Sequence, residues 1–365
     1  MSPISQPRPV LPLTADAAPR VVVVTGTYGA GHNCAAREIS RVLTERGCRV
    51  NVLDVVDLLP WRLGPALRAA YYAQLRTVPG SWGTTLDLLG PGTIAQRAAT
   101  GLLGLLSGRL LQAVGEPDLV VTTHPFGAQM LGHARAGGRL AAPVVTYLTD
   151  TSVHSLWVHP GADLHLAVHE VAAEEARALG GRTAVVHPLV DIAGPKGPVA
   201  TPPPGIPSSP WALVTGGSLG MGDLVATARD IRDDGRLVPV VLCGTDERLR
   251  RRLDGVPGVV ALGWRDDVPD LMATATCVVQ NAGGFTSLQA MASGTPVITY
   301  RPLAGHGVTN CANLDRVGLV PWARTRGELS AHLAASATAP RASRLPVDAP
   351  EVGDVLVGSR ATVAA

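Results

Sequence analysis

The sequence has few aromatic residues, almost no lysine and no long apolar run. Aromatic side chains make up 4% of the 365 residues, and Lys196 is the only lysine among 31 basic residues. The longest apolar stretch, residues 98–108, is bracketed by arginines and is too short to span a bilayer, which takes about 20 apolar residues. Residues 1–20 lack the charged and apolar regions of a signal peptide. We therefore expect a cytoplasmic protein without a membrane-spanning segment.

A large excess of charge is also missing. The chain has 31 basic and 29 acidic residues, for a net charge of +2. Since a protein that neutralises many phosphates needs a basic excess, we expect no nucleic-acid partner. The five cysteines include no CxxC pair, are odd in number and are scattered along the chain. This pattern predicts neither a disulfide framework nor a zinc site.

Hydrophobic residues are plentiful, at 46%, and with the chain length they predict two globular domains. The β-branched run at residues 21–25 is typical of a strand buried on both faces of a parallel sheet. A glycine-rich turn follows, then a predicted helix over 34–46 and a strand over 49–55. The first half therefore predicts an α/β, doubly wound sheet. Its later strands are expected at 118–123, 144–149, 164–168 and 183–186, with helices at 96–114, 127–136 and 170–179.

The same architecture begins again after a segment rich in proline. Residues 211–215 predict a strand, and residues 216–222 form a second glycine-rich turn. Further strands are expected at 238–243, 258–262, 276–280, 296–300 and 318–321, with helices at 223–235, 266–274, 285–293 and 307–316. We divide the chain into a disordered tail (1–18), a first domain (19–192), a linker (193–209), a second domain (210–334) and a low-complexity tail (335–365).

Both glycine-rich turns join a strand to a helix, an arrangement whose backbone N–H groups and helix dipole suit an anion such as a diphosphate. Neither turn contains the lysine of a P-loop, and Cys34 occupies the place of the third glycine or alanine in a dinucleotide fingerprint. His32 lies in the first turn. A histidine there suits a general base, although a structural or phosphate-contacting role is equally compatible with its position.

Three segments together resemble one enzyme family. They are the first turn GTYGAGHNCAA, the segment YLTDTSVHSLWVH at 147–159, and the constellation at 280–310 with its Gly-Gly turn and final asparagine. They resemble GT-B glycosyltransferases of the family 28-like group. That group contains monogalactosyldiacylglycerol synthases, bacterial diacylglycerol glucosyltransferases and the N-acetylglucosaminyltransferase that makes the peptidoglycan lipid intermediate. The first two segments resemble the glycolipid branch in particular.

The resemblance implies two Rossmann-like domains facing a cleft, and inverting transfer of a hexose from a nucleotide sugar, UDP-linked, to a lipid hydroxyl such as that of diacylglycerol. It implies no metal and no resident cofactor. The catalytic candidates are His32 and Asp150. The acceptor-binding candidates, in the first domain, are Gly31, His154 and Trp157. The candidates for binding the nucleotide sugar, in the second domain, are Gly217, Ser218, Gly220, Asn281, Gly283, Gly284, Phe285, Thr286, Gln289, His306 and Asn310.

Two of these residues depart from the family pattern. Gln289 stands where the family usually has a glutamate that binds the ribose hydroxyls, and an amide offers one acceptor oxygen where a carboxylate offers two. His306 replaces a glutamine that contacts the donor sugar. Two alternatives stay open. One is a transferase that acts on a soluble natural product or an isoprenoid lipid, and the other, which Gln289 suggests, is a nucleotide-sugar-binding protein without transferase activity.

Residues 58–111 mix tryptophans, tyrosines and arginines among leucines. This composition suits contact with an anionic membrane surface, and it equally suits a helical subdomain that packs its leucines on the sheet. With the family resemblance, we expect a peripheral protein at the inner face of the cell membrane.

Overall fold

A computed structural model describes residues 9–11, 18–78, 80–190, 203–281, 284–341, 345 and 348–358. The chain forms two compact units. The first comprises residues 1–74, 84–189 and 346–365, and the second comprises residues 75–83 and 190–345. Each unit contains one six-stranded sheet, and every strand pair in both sheets is parallel.

The sheet of the first unit has the strand order β2-β1-β3-β4-β5-β6. Its strands are β1 (Arg20–Thr25), β2 (Arg49–Asp54), β3 (Leu119–Thr122), β4 (Val144–Leu148), β5 (Leu164–Ala167) and β6 (Thr183–Val185). The helices along this part of the chain are α1 (Ala30–Glu45), α2 (Leu63–Thr77), α3 (Ser81–Leu88), α4 (Ile94–Leu105), α5 (Gly108–Val114), α6 (Pro125–Ala136) and α7 (Glu170–Ala178). Short 3-10 helices occur at Pro60–Arg62 and Ser155–Trp157.

The sheet of the second unit has the order β12-β11-β10-β7-β8-β9. Its strands are β7 (Trp211–Thr215), β8 (Val238–Leu242), β9 (Val260–Leu262), β10 (Cys277–Gln280), β11 (Val297–Tyr300) and β12 (Trp322–Ala323). Its helices are α8 (Leu224–Asp234), α9 (Glu247–Asp254), α10 (Val268–Thr274), α11 (Phe285–Ala292), α12 (His306–Arg316) and α13 (Arg326–Ser336). The last helix, α14 (Val352–Val357), belongs to the first unit.

Strand order determines where a ligand site can form in each unit. In the first sheet the chain moves from β1 to β2 on one side and later to β3 on the other, and in the second sheet β7 has β8 and β10 as its neighbours. Open α/β sheets bind ligands at the carboxyl ends of the strands where the order reverses. The loops after β1, β3, β7 and β10 lie at those two points, and together with the first turns of the helices that follow them they contain most of the predicted site residues.

The observed architecture confirms the predicted α/β fold of two doubly wound sheets. Helices α9 and α13 are additional to those expected from the sequence, and two predicted elements differ from the expectation. The helix expected over 96–114 is divided into α4 and α5, and the hydroxyl of Ser107 bonds the carbonyl of Gly104 (2.7 Å) at the break. The strand expected over 318–321 instead lies at Trp322–Ala323, because the chain first makes a turn at Gly318, where φ is +71°.

The chain termini also differ from the expectation. Residues 352–357 form α14, which packs on α1 and places Asp354 2.9 Å from Arg46. The backbone N–H groups of Val10 and Leu11 bond carbonyls of α14. A helix of six residues is too short to show a period, so the sequence did not predict it. Residues 203–209 contain no helix or strand. Most of the predicted amino-terminal tail, residues 193–202 of the predicted linker, and residues 342–344, 346–347 and 359–365 of the predicted carboxyl-terminal tail lie outside the described residues.

Residues 58–111 consist largely of the helices α2 to α5, which the sequence had left undivided. No helix in the described part of the chain has both the length and the apolar character needed to cross a membrane.

Candidate active site

The loop between β1 and α1 is held in place by polar side chains. Asp54, at the end of β2, accepts hydrogen bonds from the hydroxyl and the backbone N–H of Thr27, the latter at 3.1 Å, and from the N–H of Val56 (2.8 Å). Asn33 bonds both Thr27 and Thr25, at 3.1 and 2.8 Å. These bonds join the loop to β2 and to the first turn of α1, so they fix the segment that contains His32.

His32 lies in the first turn of α1 and is surrounded by rings. Its imidazole centroid is 5.0 Å from that of His124, with the rings nearly perpendicular, and 5.6 Å from that of Trp157. The backbone carbonyl of His32 accepts a hydrogen bond from Thr123 (3.0 Å). Gly31 precedes it in the same turn. The structure thus gives the predicted base a defined position at the carboxyl edge of the first sheet.

His124 follows β3 and caps α6, with its Nδ1 accepting a hydrogen bond from the N–H of Phe126 (3.2 Å). The ring of Tyr28 stacks on it at 5.3 Å. Burial, with His32 nearby, holds the pKa of His124 well below its usual value. His124 is therefore neutral at pH 7.

Asp150 follows β4, and its carboxylate accepts a hydrogen bond from Thr149 (3.3 Å). Asp150 lies near Tyr71 of α2. Burial, together with the nearby Tyr72 and Asp150, raises the pKa of Tyr71 to about 12. The ring of Tyr71 packs edge-on against Tyr28. Asp150 therefore borders the same aromatic group that surrounds the first glycine-rich loop.

His154 holds its own segment in place. Its Nδ1 accepts a hydrogen bond from the N–H of Leu156 (3.3 Å), and its Nε2 lies 3.1 Å from the carbonyl of Leu86 in α3. Since Nδ1 is an acceptor, Nε2 carries the proton and donates. Both ring nitrogens thus bond backbone groups, and these bonds fix the segment that contains His154. Its contact with the acceptor stays a prediction.

Trp157, also predicted to contact the acceptor, is only 4% exposed. The buried amide of Gln129 donates to the carbonyls on either side of it, those of Leu156 (2.9 Å) and Val158 (3.0 Å). These bonds fix the backbone around Trp157, whose ring contacts His32. The structure therefore places Trp157 beside the predicted base.

In the second unit, the loop between β7 and α8 depends on glycine. Gly217, Gly220 and Gly222 have φ values of +76°, +59° and +92°, a region that favours glycine. The N–H of Gly220 bonds the carbonyl of Gly217 at 3.0 Å, and the carbonyl of Ser218 accepts from Thr245 (3.0 Å). A glycine-rich loop between a strand and the amino end of a helix suits an anion.

Asn281, which follows β10, connects three loops of this unit. Its side chain donates to the carbonyl of Met221 (2.7 Å), and its own carbonyl accepts from the N–H of Leu303 (2.8 Å). A Cβ on Gly222 would lie 2.1 Å from the Asn281 amide nitrogen. The side-chain oxygen of Asn281 is buried, and no described residue bonds it. The predicted donor-binding asparagine thus holds the glycine-rich loop and keeps one acceptor atom available.

Helix α11 begins directly after Gly284 and has no acidic residue in its first turn. Phe285 and Thr286 form its first residues, and Gln289 lies one turn later, with its carbonyl accepting from Ser293 (3.0 Å). The amino end of this helix therefore faces the loop edge where an anion would bind. Gly283, another predicted donor contact, lies outside the described residues.

Helix α12 contains the other two predicted donor contacts. His306 is its first residue, and its Nε2 lies 3.4 Å from the side chain of the fully buried Asn310. Just before it, Arg301 has a positive φ of +51° and contacts Asp230 (2.9 Å) and Asp223 (3.5 Å). Asp223 caps α8, so Arg301 connects the loop before α12 to the end of the glycine-rich loop.

Some residues at these edges escaped the sequence interpretation. Asp54, His124 and Arg301 make their contacts with residues far away in sequence, which are Thr27, His32 and Asp230. Trp264 follows β9 and is 57% exposed, with its indole nitrogen 3.0 Å from Asp266. The sequence pattern does offer a signal for Trp264, because a tryptophan shortly after a strand of a nucleotide-binding sheet is a candidate for stacking on a base.

The comparisons with known proteins agree with this geometry. Residues 32–189 match the family model for monogalactosyldiacylglycerol synthase, and residues 217–319 match the model for glycosyl transferases group 1. A processive diacylglycerol beta-glucosyltransferase of Bacillus subtilis is 24% identical over 80% of this chain and 80% of its own length.

Solved structures give the same fold. The Streptomyces glycosyltransferase SsfS6, complexed with thymidine diphosphate, aligns with a TM-score of 0.57 and 17% identity over 88% of this chain and 90% of its own. The glycotransferase of kitacinnamycin aligns with a TM-score of 0.57 and 15% identity over 89% of this chain and 92% of its own. These likenesses show the GT-B fold. With the two family models and the diacylglycerol glucosyltransferase relatives, the chain is a GT-B hexosyltransferase that is similar to the glycosyltransferase family 28-like group.

Proposed function

We propose that this enzyme transfers a hexose from a UDP-sugar to the hydroxyl of a lipid acceptor such as diacylglycerol, with inversion at the anomeric carbon. The observation that carries the proposal is the position of His32, in the first turn of α1 at the carboxyl edge of the sheet. A histidine in that position is a suitable base for a hydroxyl that approaches the edge.

In the proposed step, the acceptor oxygen attacks the anomeric carbon of the donor and its proton moves to His32. The bond between the anomeric carbon and the phosphate oxygen breaks, and the nucleoside diphosphate leaves with the bonding electron pair. A single displacement of this kind inverts the anomeric centre. His32 later returns its proton to solvent.

The departing diphosphate needs electrostatic stabilisation. We assign to it the backbone N–H groups of the first turn of α11 and those of the Gly217–Gly222 loop other than Gly217, Gly220 and Met221, whose N–H groups bond neighbouring protein oxygens. Fixed donors at a helix terminus stabilise developing negative charge without having to reorganise. The buried side-chain oxygen of Asn281 is available to accept a hydrogen bond from the donor.

The choice of a lipid acceptor is supported by the relatives, since proteins of similar sequence are named diacylglycerol glucosyltransferases. It is also supported by an apolar face on α4, where Ile94 and Leu105 are 87% and 84% exposed and Leu102 is 55% exposed. We call these three residues the α4 face. Arg97 is on the same helix, Arg109 is at the start of α5, and there is no acidic residue between Asp87 and Glu116 in the sequence. Such a surface suits an anionic bilayer.

The transfer is tested by incubating the purified chain with UDP-, GDP- and TDP-hexoses and with vesicles that contain diacylglycerol. Mass spectrometry identifies new glycolipids, and NMR of the product gives its anomeric configuration. We expect a glycolipid of inverted configuration from a UDP-hexose. His32→Ala should lower kcat by roughly 10²- to 10⁴-fold, the usual contribution of a general base. A fully active His32→Ala enzyme would remove His32 from the mechanism.

Other outcomes favour the alternatives. Hydrolysis of the donor without a glycolipid product would favour a soluble acceptor, and a screen of hydroxylated natural products would follow. Donor binding without transfer or hydrolysis, with every donor tried, would contradict the proposed enzyme activity.

Membrane contact is tested separately by flotation with phosphatidylglycerol vesicles. Replacing the α4 face with serine should abolish flotation, and raised salt should weaken it. Val52→Ser removes an exposed apolar side chain (45% exposed) from β2 and serves as the control, which should float as the wild type does. Equal flotation of all three proteins would exclude the α4 face as the contact.

A further inference from the structure

The position of the His32 ring depends on a second histidine. His124 comes from a different crossover of the sheet, 92 positions along the chain, and its ring centroid lies 5.0 Å from that of His32 at an interplanar angle of 79°. His124 is itself fixed on three sides: Tyr28 stacks on it, Phe126 packs edge-on at 5.1 Å, and its Nδ1 bonds the backbone of α6. A ring held so firmly can fix the ring beside it.

The loop backbone is shaped to admit the His124 ring. A Cβ on Gly26 would lie 2.6 Å from ring carbons of His124, so no other residue fits at position 26 without moving that ring. The φ of Gly26 is not positive, so this glycine is required for space and not for backbone conformation. Thr122 bonds the N–H of His124 (3.3 Å) and the carbonyl of Val24 (3.0 Å), which joins His124 to β1.

The chemistry of position 124 also matters. A second imidazolium next to the base would oppose the charge that His32 acquires when it takes a proton. Burial prevents this, because His124 is 3% exposed and burial lowers its pKa. Its capping bond needs an unprotonated Nδ1 as well. A buried neutral ring therefore gives His32 a fixed neighbour without a competing charge.

We propose that His124 is a positioning residue: its neutral ring, wedged against Gly26, holds the imidazole of His32 in the orientation needed to accept the proton of the acceptor hydroxyl. The inference rests on the proposed function of His32 and adds a residue that acts through it. Trp157 contacts His32 at 5.6 Å and completes the enclosure.

Two substitutions separate the ring of His124 from its capping bond. His124→Phe keeps a ring of similar size and loses the acceptor for the Phe126 N–H. His124→Asn keeps a side-chain acceptor that is favoured at helix N-caps and loses the ring. His169→Asn is the matched control, because His169 caps α7 with the same Nδ1 bond, to Val171 at 3.2 Å.

The readouts are kcat, KM and the pH dependence of kcat, with UDP-glucose and diacylglycerol vesicles. We expect His124→Asn to lower kcat by roughly 10- to 100-fold, the usual cost of a misplaced catalytic group, with little change in the KM for the donor. The acidic limb of its kcat profile should move to higher pH, since water that enters the gap stabilises the imidazolium of His32. His124→Phe and the control should keep kcat within about threefold of the wild type.

The surrounding titratable groups remain the same in all of these variants. They are Asp54 at the end of β2, Asp150 after β4, and Arg68, Tyr71 and Tyr72 on α2. A moved acidic limb in His124→Asn alone therefore reports the lost ring. The reverse pattern, a normal His124→Asn and an impaired His124→Phe, would show that only the cap matters and would overturn the inference.

An NMR titration of the full-length chain with labelled histidine keeps this test separate from the test of catalysis. The ring signals of His32, assigned with His32→Gln, should shift in His124→Asn and stay near their wild-type positions in His124→Phe. Unchanged His32 signals in His124→Asn would refute the positioning role even if the enzyme is active. Shifted signals together with a fully active His32→Ala enzyme would refute the proposed base and leave the contact intact.

Discussion

The two glycine-rich loops occupy equivalent places in their sheets and are constructed differently. In the second unit, Gly217, Gly220 and Gly222 all have positive φ, and the loop is closed by backbone hydrogen bonds. In the first unit, the glycines at 26, 29 and 31 are absent from the positive-φ residues, and the loop is held by Thr25, Thr27, Asn33 and Asp54.

The difference shows that a glycine-rich turn after a strand can serve two purposes. The loop of the second unit lies between a strand and the amino end of a helix, and its backbone N–H groups suit an anion. In the first unit, Gly26 makes room for the ring of His124, and the polar network fixes the turn that contains His32. There, side chains are the functional groups. Two similar sequence motifs thus serve different purposes: backbone N–H groups suit an anion in the second unit, and a side chain, that of His32, is the functional group in the first.

Alanine at one glycine of each loop provides the sharpest test of this comparison. Gly222→Ala brings a Cβ to 2.1 Å from Asn281 at a φ of +92°, so we expect donor affinity to fall by roughly 10- to 100-fold. Gly26→Ala displaces the His124 ring, so kcat should fall by a similar factor while donor affinity stays constant. The measurements are UDP binding by calorimetry and kcat.

Gly235→Ala is the control for these two variants. It has a positive φ of +78° at the end of α8, and no atom lies within 4 Å of its added Cβ. Gly235→Ala should lower the stability of the protein somewhat, and it should leave the donor affinity and kcat unchanged. Loss of donor affinity in Gly26→Ala would remove the functional distinction between the loops.

The units should also differ in their response to acid. Eight of the ten histidines belong to the first unit, and burial lowers the pKa of His124, His159 and His165, that of His159 to about 4. The unfolded chain binds protons at these sites at higher pH than the folded chain, so the free energy of unfolding falls as the pH drops below about 6.5. His159 contributes a loss of about 1.4 kcal/mol per pH unit down to about pH 4, and His124 and His165 add to it.

Hydrogen exchange measured between pH 7 and 4.5, corrected for the intrinsic pH dependence of exchange, should show the first unit opening before the second. His159→Asn keeps a side-chain acceptor for the N–H of Gly161, which the His159 Nδ1 bonds at 2.9 Å, and it should reduce the acid sensitivity. Earlier opening of the second unit would contradict the assignment.

Asp54→Asn tests the polar network of the first loop. Both carboxylate oxygens accept hydrogen bonds from N–H or O–H groups, and an amide can replace only one of them as an acceptor. We expect a loss of about 1–3 kcal/mol in the free energy of unfolding, measured by denaturant titration, together with a lower kcat. Asp118→Asn, which changes a carboxylate that accepts from the N–H of Arg20 at the other end of β1, is the control for kcat. A normal kcat in Asp54→Asn would show that His32 keeps its place without this network.

Gln289→Glu should have the smallest effect. If α11 presents this side chain to the ribose of the donor, a carboxylate adds a second acceptor oxygen and should raise UDP affinity by a few fold, equivalent to about 1 kcal/mol. Calorimetric titration with UDP measures it. An unchanged affinity would show that position 289 does not contribute to binding the ribose, and it would remove the main reason for considering a binding-only protein.

Much of the architecture was predictable from sequence. The apolar runs at 21–25 and 211–215, both followed directly by glycine, predicted the first strand of each sheet and the loop at its carboxyl end. The short helices α9 and α14 were not predicted, because six to eight residues give no reliable period. Helix α13 was not predicted either, because Leu329 and Leu333 are its only buried apolar residues and define a weak pattern. Among the site residues, His32 was recognisable from its motif, whereas its contacts with His124 and Trp157 join segments separated by about a quarter of the chain or more.

The α/β class, the division into two units and the resemblance to the enzyme family could all be obtained from the sequence alone. Hydrophobic patterns and glycine-rich turns depend on residues that are close together in the chain. Only the tertiary structure decided which side chains surround His32, that His154 bonds backbone at both ring nitrogens, and that Asn281 connects the loops of the second unit. The physical reason is that parallel strands bring distant crossovers to one edge of a sheet, and the contacts made there depend on packing and burial across the whole unit.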